Sequence, residues 1–192
     1  IAAAILISFN VQVRFVTVLF DADVLHPVIA QSLNILITLF WLIGITNAMN
    51  MIDSMDGLSV GLSAIAFLFF LPVTLASGQT HLTAVSVILL GICIGLYFYN
   101  ITPAKLFLGD SGAQTLGFIV ASWFVPILLL SIPIFDTTLV TVSRLRRKLP
   151  IYKANRDHIF HRLIHLGISP LRAVMAVHLV AVLVDCLAFV AL

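Results

Sequence analysis

Asn47-Ala48-Met49-Asn50-Met51-Ile52-Asp53-Ser54-Met55-Asp56-Gly57 stands between two apolar runs, Val28–Thr46 and Leu58–Ser77. Each run reaches the roughly 17–25 residues that a helix needs to cross a bilayer. Asn47, Asn50 and Asp53 recur at i, i+3 and i+6, which sets them along one helix face at the end of the first span. Asp56-Gly57 is then expected to close the turn and cap the next helix. A plain C-cap followed by an N-cap would explain any one of these residues, but four amide or carboxylate groups exceed what two caps require. Acids in a membrane are costly, ~2.5–3.5 kcal/mol each at the centre of a span, so a cluster at a span's end points to a bound cation or substrate.

Outward from this stretch the chain is oily throughout. Of 192 residues, 61% are apolar and 9% charged, with a mean hydropathy of +1.18. Soluble domains run near ~45–50% apolar and ~25% charged, so a water-soluble globule is excluded. All eight acids are Asp, and eight of the ten Lys and Arg fall between Arg144 and Arg172. One basic segment under a net charge of only +2 argues against nucleic acid as a partner. Cys93 and Cys186 lie inside apolar runs and are expected to pack rather than bind metal or form a disulfide.

The expected architecture is an all-α, polytopic transmembrane helical bundle, a single transmembrane domain over residues 1–192. Further spans are read at Leu82–Tyr99, Ala113–Leu130 and Leu171–Leu192, with Ile1–Phe9 as the tail of an earlier one. Val11–Phe20 is open to a strand or an interfacial segment. The basic segment, a loop over about 144–170, is expected on the cytoplasmic side, together with Asn47–Gly57 and Asn100–Gly112. Only 31 residues separate Gly112 from Arg144, too few for two full crossings, and Pro133 and Asp136 interrupt them. A broken helix near Pro133-Asp136, or missing residues, is the expectation there.

Two more polar clusters carry chemistry. Phe107-Leu108-Gly109-Asp110-Ser111-Gly112 opens a helix whose free N–H groups and positive dipole suit a phosphate, although Asp110 could simply cap it. Asn155 to His165 holds Arg156, His158, His161, Arg162 and His165. On a helix the three His share a face. A zinc site and an interfacial helix touching anionic lipid are the alternatives to a diphosphate-binding group facing the carboxylates.

In order along the chain, Asn47–Leu58, Phe107–Gly112, Pro133-Ile134-Phe135-Asp136-Thr137 and Asp157–Leu163 resemble the successive motifs of the polyprenyl-phosphate N-acetylhexosamine-1-phosphate transferases, glycosyltransferase family 4. That group includes enzymes initiating enterobacterial common antigen, O-antigen and teichoic acid synthesis, and is related to the phospho-N-acetylmuramoyl-pentapeptide transferase. The resemblance implies transfer of N-acetylhexosamine 1-phosphate, with N-acetylglucosamine the expected sugar, from a UDP-sugar to undecaprenyl phosphate. UMP is released, Mg²⁺ (or Mn²⁺) is the cofactor, and the site faces the cytoplasm from the bacterial inner membrane, in cell-envelope polysaccharide synthesis. Membrane lipid is the surroundings, and a homodimer is compatible with this reading. Carried over by position, Asp110 and Asn50 are metal ligands, and Asp53 and Asp110 are catalytic. Asp56, Asn100 and Phe107 hold the uridine, Phe107 by stacking, and Arg156, His158 and His161 grip the diphosphate or sugar.

Three departures accompany the resemblance. The family's paired Asp-Asp upstream has no counterpart, since Asp21-Ala22-Asp23 lacks the adjacency, so the chain reads as the C-terminal part of a longer protein. Phe160 stands where the family often has a middle His, and the passage from Gly112 to Pro133 is short. A secondary transporter with a membrane-edge Asp ion site is the reading from a different class, and it would place polar residues at span centres. An inactive membrane scaffold left by truncation is the third.

Overall fold

The computed structural model describes residues 2–9, 11–12, 26–123, 127–150 and 157–190. These form helices α1 (Ala2–Ser8), α2 (Pro27–Ile52), α3 (Leu58–Ala76), α4 (Thr80–Asn100), α5 (Gly109–Ser122), a 3-10 turn (Ile127–Leu130), α6 (Ser131–Arg146), α7 (Ile159–His165) and α8 (Pro170–Val190), with no strand among the described residues. Four of them, α2, α3, α4 and α8, are long and apolar enough to cross a membrane. The chain is a multi-pass, all-α membrane protein.

Pro27 opens α2, where its fixed φ suits the first helical position and its missing N–H costs nothing. His26 caps it, Nδ1 accepting from the Val28 N–H at 3.4 Å. At 1.5 Å per residue the 26 residues of α2 extend about 39 Å, longer than the roughly 30 Å hydrocarbon core. The helix therefore carries Asn47 and Asn50 in its last turns, and Asp53 is its C-cap. The span expected to end at Thr46 runs on to Ile52 because nothing in Asn47–Ile52 breaks a helix.

Gly57 starts α3 with φ +79°. A Cβ there would lie 3.3 Å from both Ile101 Cα and Tyr97 Cε2, so the turn needs glycine for its conformation and for the close approach of α4. The helix continues into α4 through Gly78, where the Gln79 N–H returns to the Thr74 carbonyl at 3.0 Å.

Ala113–Leu130 is not one span. α5 ends at Ser122, a length of about 21 Å, and the next described element is the separate 3-10 turn. The predicted interruption thus falls before Ser131. α6 runs unbroken through Pro133 and Asp136, because a proline in the first turn removes only an N–H that has no intrahelical acceptor. The candidate segment Val11–Phe20 lies largely outside the described residues, as do Asp21-Ala22-Asp23.

Two apolar clusters hold the bundle. Leu42, Ile45, Met49, Phe67, Phe70, Cys93 and Val120 form one, with Trp123 edge-on to Phe70 at 4.9 Å between centroids. Trp41 Nε1 donates to the Ala121 carbonyl at 3.0 Å, a helix-end acceptor that the Trp123 N–H also reaches, and so ties α2 to the end of α5. Ile52, Met55, Leu58, Phe160, Val174 and Val177 form the second cluster, and it binds α7 and α8 to the α2–α3 turn. Small residues allow the tightest crossings. A Cβ on Gly117 of α5 would meet Met49 Cβ of α2 at 2.8 Å, and one on Gly61 of α3 would meet the His178 ring of α8 at 2.3 Å. His178 sits between Tyr97 Oη at 3.4 Å and the Leu58 carbonyl at 3.3 Å. Cys93 is buried and Cys186 exposed, both as free thiols.

Candidate functional site at the ends of α2, α4 and α6

The α2–α3 turn, the α4–α5 loop and the segment leading into α7 meet at one end of the bundle. Asn50 Nδ2 donates to Asp110 Oδ1 at 3.4 Å, across 60 residues of sequence. Asp110 lies in the first turn of α5, which has no side-chain cap, so the capping alternative for Asp110 does not hold. Asp56 does not cap α3 either. Its Oδ2 accepts from the Ala104 N–H at 3.2 Å, and the α3 N-cap is Gly57. Asn100 is a clamp, Oδ1 accepting from the Gly57 N–H at 3.0 Å and Nδ2 donating to the Leu106 carbonyl at 2.8 Å. The same loop presents Phe107, a residue 74% exposed. Asn47, on the same face of α2, donates back to the Ile43 carbonyl at 2.9 Å.

Asp53 is partly buried beside two more carboxylates. Burial, then Asp110, then Asp56 push its carboxyl up to about 7 from the ordinary 3.8. Among the described residues no ion pair reaches Asp53, Asp56 or Asp110; the three ion pairs are Arg144–Asp157, Arg147–Asp157 and His158–Asp136. Clustered acids without a cation are a functional signature rather than a stabilising one. No three His, Cys, Asp or Glu side chains among the described residues close on a metal-holding point. A cation here would take Asp110, with the Asn50 amide oxygen turned toward it, and complete its shell with water and ligand phosphate, a donor set that suits Mg²⁺ better than zinc.

The basic segment is arranged differently from the sequence expectation. His158 precedes α7 in extended conformation, φ −63° and ψ 153°, so it does not share a helix face with His161 and His165. Its ring bonds Asp136, Nδ1 to Oδ2 at 2.6 Å. His161 packs on Phe160, with ring centroids 4.2 Å apart. Asp157 gathers Arg147 at 3.4 Å and Arg144 at 3.9 Å, and Arg162 Nε donates to the Asp157 carbonyl at 3.1 Å. Arg156 lies outside the described residues. Phe160, where a third His was sought, is 1% exposed and ties α7 to Ile52, Met55 and Leu58.

Asp136 is the residue that sequence reasoning did not place in the site. The signal was present: a carboxylate in an apolar helix needs a partner, and the loop 22 residues on held the imidazole.

Carboxylates and amides from separate helix ends are thus gathered at one end of an all-α, multi-pass membrane bundle. Glycosyl transferase family 4 matches residues 1–128, which is two thirds of the sequence, and the chain belongs to that family. Among its relatives is the probable undecaprenyl-phosphate N-acetylglucosaminyl 1-phosphate transferase of Bacillus subtilis, 35% identical over 158 residues, covering 75% of this chain and 44% of that protein. The decaprenyl-phosphate N-acetylglucosaminephosphotransferase of Mycobacterium tuberculosis is 28% identical over 185 residues, covering 79% and 46%. The phospho-N-acetylmuramoyl-pentapeptide-transferase of Staphylococcus aureus is 39% identical over 88 residues, covering 46% and 27%. The chain therefore spans less than half the length of these relatives. Asn50, Asp53, Asp56, Asn100, Phe107 and Asp110 lie inside the family match; Asp136, His158 and His161 lie beyond it.

Proposed function

We propose that the protein containing this chain transfers N-acetylhexosamine 1-phosphate, with N-acetylglucosamine as the sugar, from a UDP-sugar to undecaprenyl phosphate. A phosphate oxygen of the acceptor forms a bond to the sugar-linked phosphorus, the bond from that phosphorus to the UMP oxygen breaks, and UMP leaves. The reaction runs at the cytoplasmic face of the bacterial inner membrane, the side assigned by the run of Arg and Lys from Arg144. The observation that carries this reading is the approach of Asn50 to Asp110 at 3.4 Å beside Asp53 and Asp56, an oxygen-rich, cation-poor group at the membrane edge.

Mg²⁺ held by Asp110 and Asn50 would supply neutralisation of diphosphate charge. Asp56 and Asn100 shape the α4–α5 loop on which Phe107 offers a stacking face to the uracil base. Asp53, whose carboxyl is pushed up to about 7 in the metal-free site by burial, Asp110 and Asp56, is the group we assign to proton exchange with a phosphate oxygen. His161 and Arg162, on the helix that Phe160 ties to the α2–α3 turn, would supply positive or hydrogen-bonding groups to the diphosphate. A transporter would place its polar cluster at span centres, whereas these residues stand at helix ends.

The test is Asp110→Asn in the full-length gene product, with radiolabelled UDP-N-acetylglucosamine and undecaprenyl phosphate. Charge is removed at constant volume, so the protein should remain in the membrane at wild-type level while lipid-linked sugar falls below detection. Wild-type turnover at limiting Mg²⁺ would remove Asp110 from the metal, and absence of transfer by the unmutated protein would end the transferase reading.

A further inference from the structure

Asp136 and His158 make the shortest side-chain to side-chain contact among the described residues, 2.6 Å, with side chains 3% and 6% exposed. The other carboxylate oxygen, Oδ1, accepts from the Ile159 N–H at 2.7 Å. Capping the first turn of α7 needs only that one oxygen, so the second is available to the ring. Phe160 stacks parallel to the imidazole, 5.7 Å between centroids and 7° between planes. Asp136 lines a small void with Ile52, Leu58, Ile132, Ile159 and Val177, which sets it near the last turn of α2, one residue before Asp53.

If the carboxylate accepts in the 2.6 Å contact, the hydrogen sits on Nδ1. Nε2 is then the ring nitrogen left for other chemistry, and it has no hydrogen-bond partner among the described residues. Ring stacking and the two-pronged carboxylate together fix the imidazole's tautomer and its plane, the device by which a buried acid prepares a histidine.

We propose that Asp136 is a positioning residue: it holds His158 as the Nδ1–H tautomer so that Nε2 meets the bound substrate as a hydrogen-bond acceptor. The substrate part rests on the transferase reading above; the tautomer part does not. Asp136→Asn separates the two jobs of the carboxylate. One amide oxygen can still accept from Ile159, which leaves the NH₂ group facing Nδ1 and drives the ring to the Nε2–H tautomer.

The first measurement is the ¹⁵N spectrum of histidine-labelled full-length protein in nanodiscs at pH 8, with His158 assigned by its loss in His158→Gln. The wild type should show a protonated Nδ1 and a bare Nε2, and Asp136→Asn should reverse them. The second is steady-state kinetics. Asp136→Asn and His158→Gln should each lower kcat by ~100-fold or more, with KM for UDP-N-acetylglucosamine within about threefold, and the double variant should be no worse than either. A wild-type Nε2–H tautomer overturns the proposal whatever the activity. So does a near-normal kcat in Asp136→Asn, or additive losses in the double variant, which would mark a helix cap alone. If the spectra behave as stated but the unmutated protein transfers no sugar phosphate, the positioning of His158 stands and the transferase reading falls.

Discussion

Gly117→Ala moves the candidate site without touching it. Gly117 lies on α5 where it crosses α2, and a Cβ there would stand 2.8 Å from Met49 Cβ and 3.2 Å from both Thr46 Cα and the Thr46 carbonyl oxygen. Ordinary contact begins near 3.4 Å, so the helices must separate by about 0.6 Å against backbone atoms that cannot rotate away. Asn50 follows Met49 by one residue, and Asp110 is two turns before Gly117, so the separation is transmitted to a pair already at 3.4 Å. Overpacking of this kind costs about 1–3 kcal/mol, and a misplacement approaching 1 Å in a catalytic group costs ~100-fold in rate. Gly117→Ala in the full-length protein should therefore lower the thermal midpoint in detergent by several degrees, raise the Mg²⁺ concentration for half-maximal transfer, and cut turnover ~10–100-fold. Gly44→Ala and Gly91→Ala, with nothing within 4 Å of the added methyl, are the controls and should match wild type. A Gly117→Ala protein with unchanged midpoint and Mg²⁺ dependence would refute the claim that this crossing sets the Asn50–Asp110 distance.

Two further predictions concern acids that weaken the fold. Asp53 keeps its proton to about pH 7 when folded, against 3.8 for the ordinary carboxyl, so between those values the folded state binds the extra proton and stability falls as pH rises. Asp53→Asn should then equal wild type in metal-free thermal melts at pH 4 and exceed it at pH 8, by roughly 2–4 °C for about 1 kcal/mol after solvent screening; a difference that does not change with pH would refute the assignment. Asp185 in α8 is buried with neither carboxylate oxygen hydrogen-bonded among the described residues, and Asp185→Val should raise the midpoint because it removes an unpaired polar group, about 1–3 kcal/mol; a lowered midpoint would show that the carboxyl has a partner.

The spans and the order of the motifs were legible because they are one-dimensional: apolar runs have lengths, and Asn47, Asn50 and Asp53 have helical spacing. The proximity of Asn50 to Asp110 followed from placing both at the same end of neighbouring spans. What spacing could not reach was the partner of each polar group. Asp56 looked like a cap for α3 but bonds Ala104, since the left-handed turn at Gly57 carries the chain away from a side-chain cap. His158 looked like one of three histidines on a helix face, but α7 begins one residue later, and Asp136 claims the ring. The end of α5 at Ser122 was equally hidden, because an apolar run continues through it; tertiary packing of Trp41 and Trp123 marks the end instead.

These partners also decide what mutagenesis at the site can report. Asp56 and Asn100 each fasten the α4–α5 loop to the α2–α3 turn through a backbone N–H, Ala104 in one case and Gly57 in the other. Removing either side chain leaves a backbone donor without its acceptor and loosens the loop that carries Phe107, so lost activity in Asp56→Ala or Asn100→Ala mixes ligand contact with loop geometry. Asp53 and Asp110 accept no backbone hydrogen bond among the described residues, and burial beside two carboxylates makes ionised Asp53 oppose folding rather than support it. Loss of turnover in Asp53→Asn or Asp110→Asn, accompanied by equal or higher thermal stability, therefore has to come from the chemistry of the cleft. Within this site, the acids that hold no backbone group are the ones whose substitution reads function most directly.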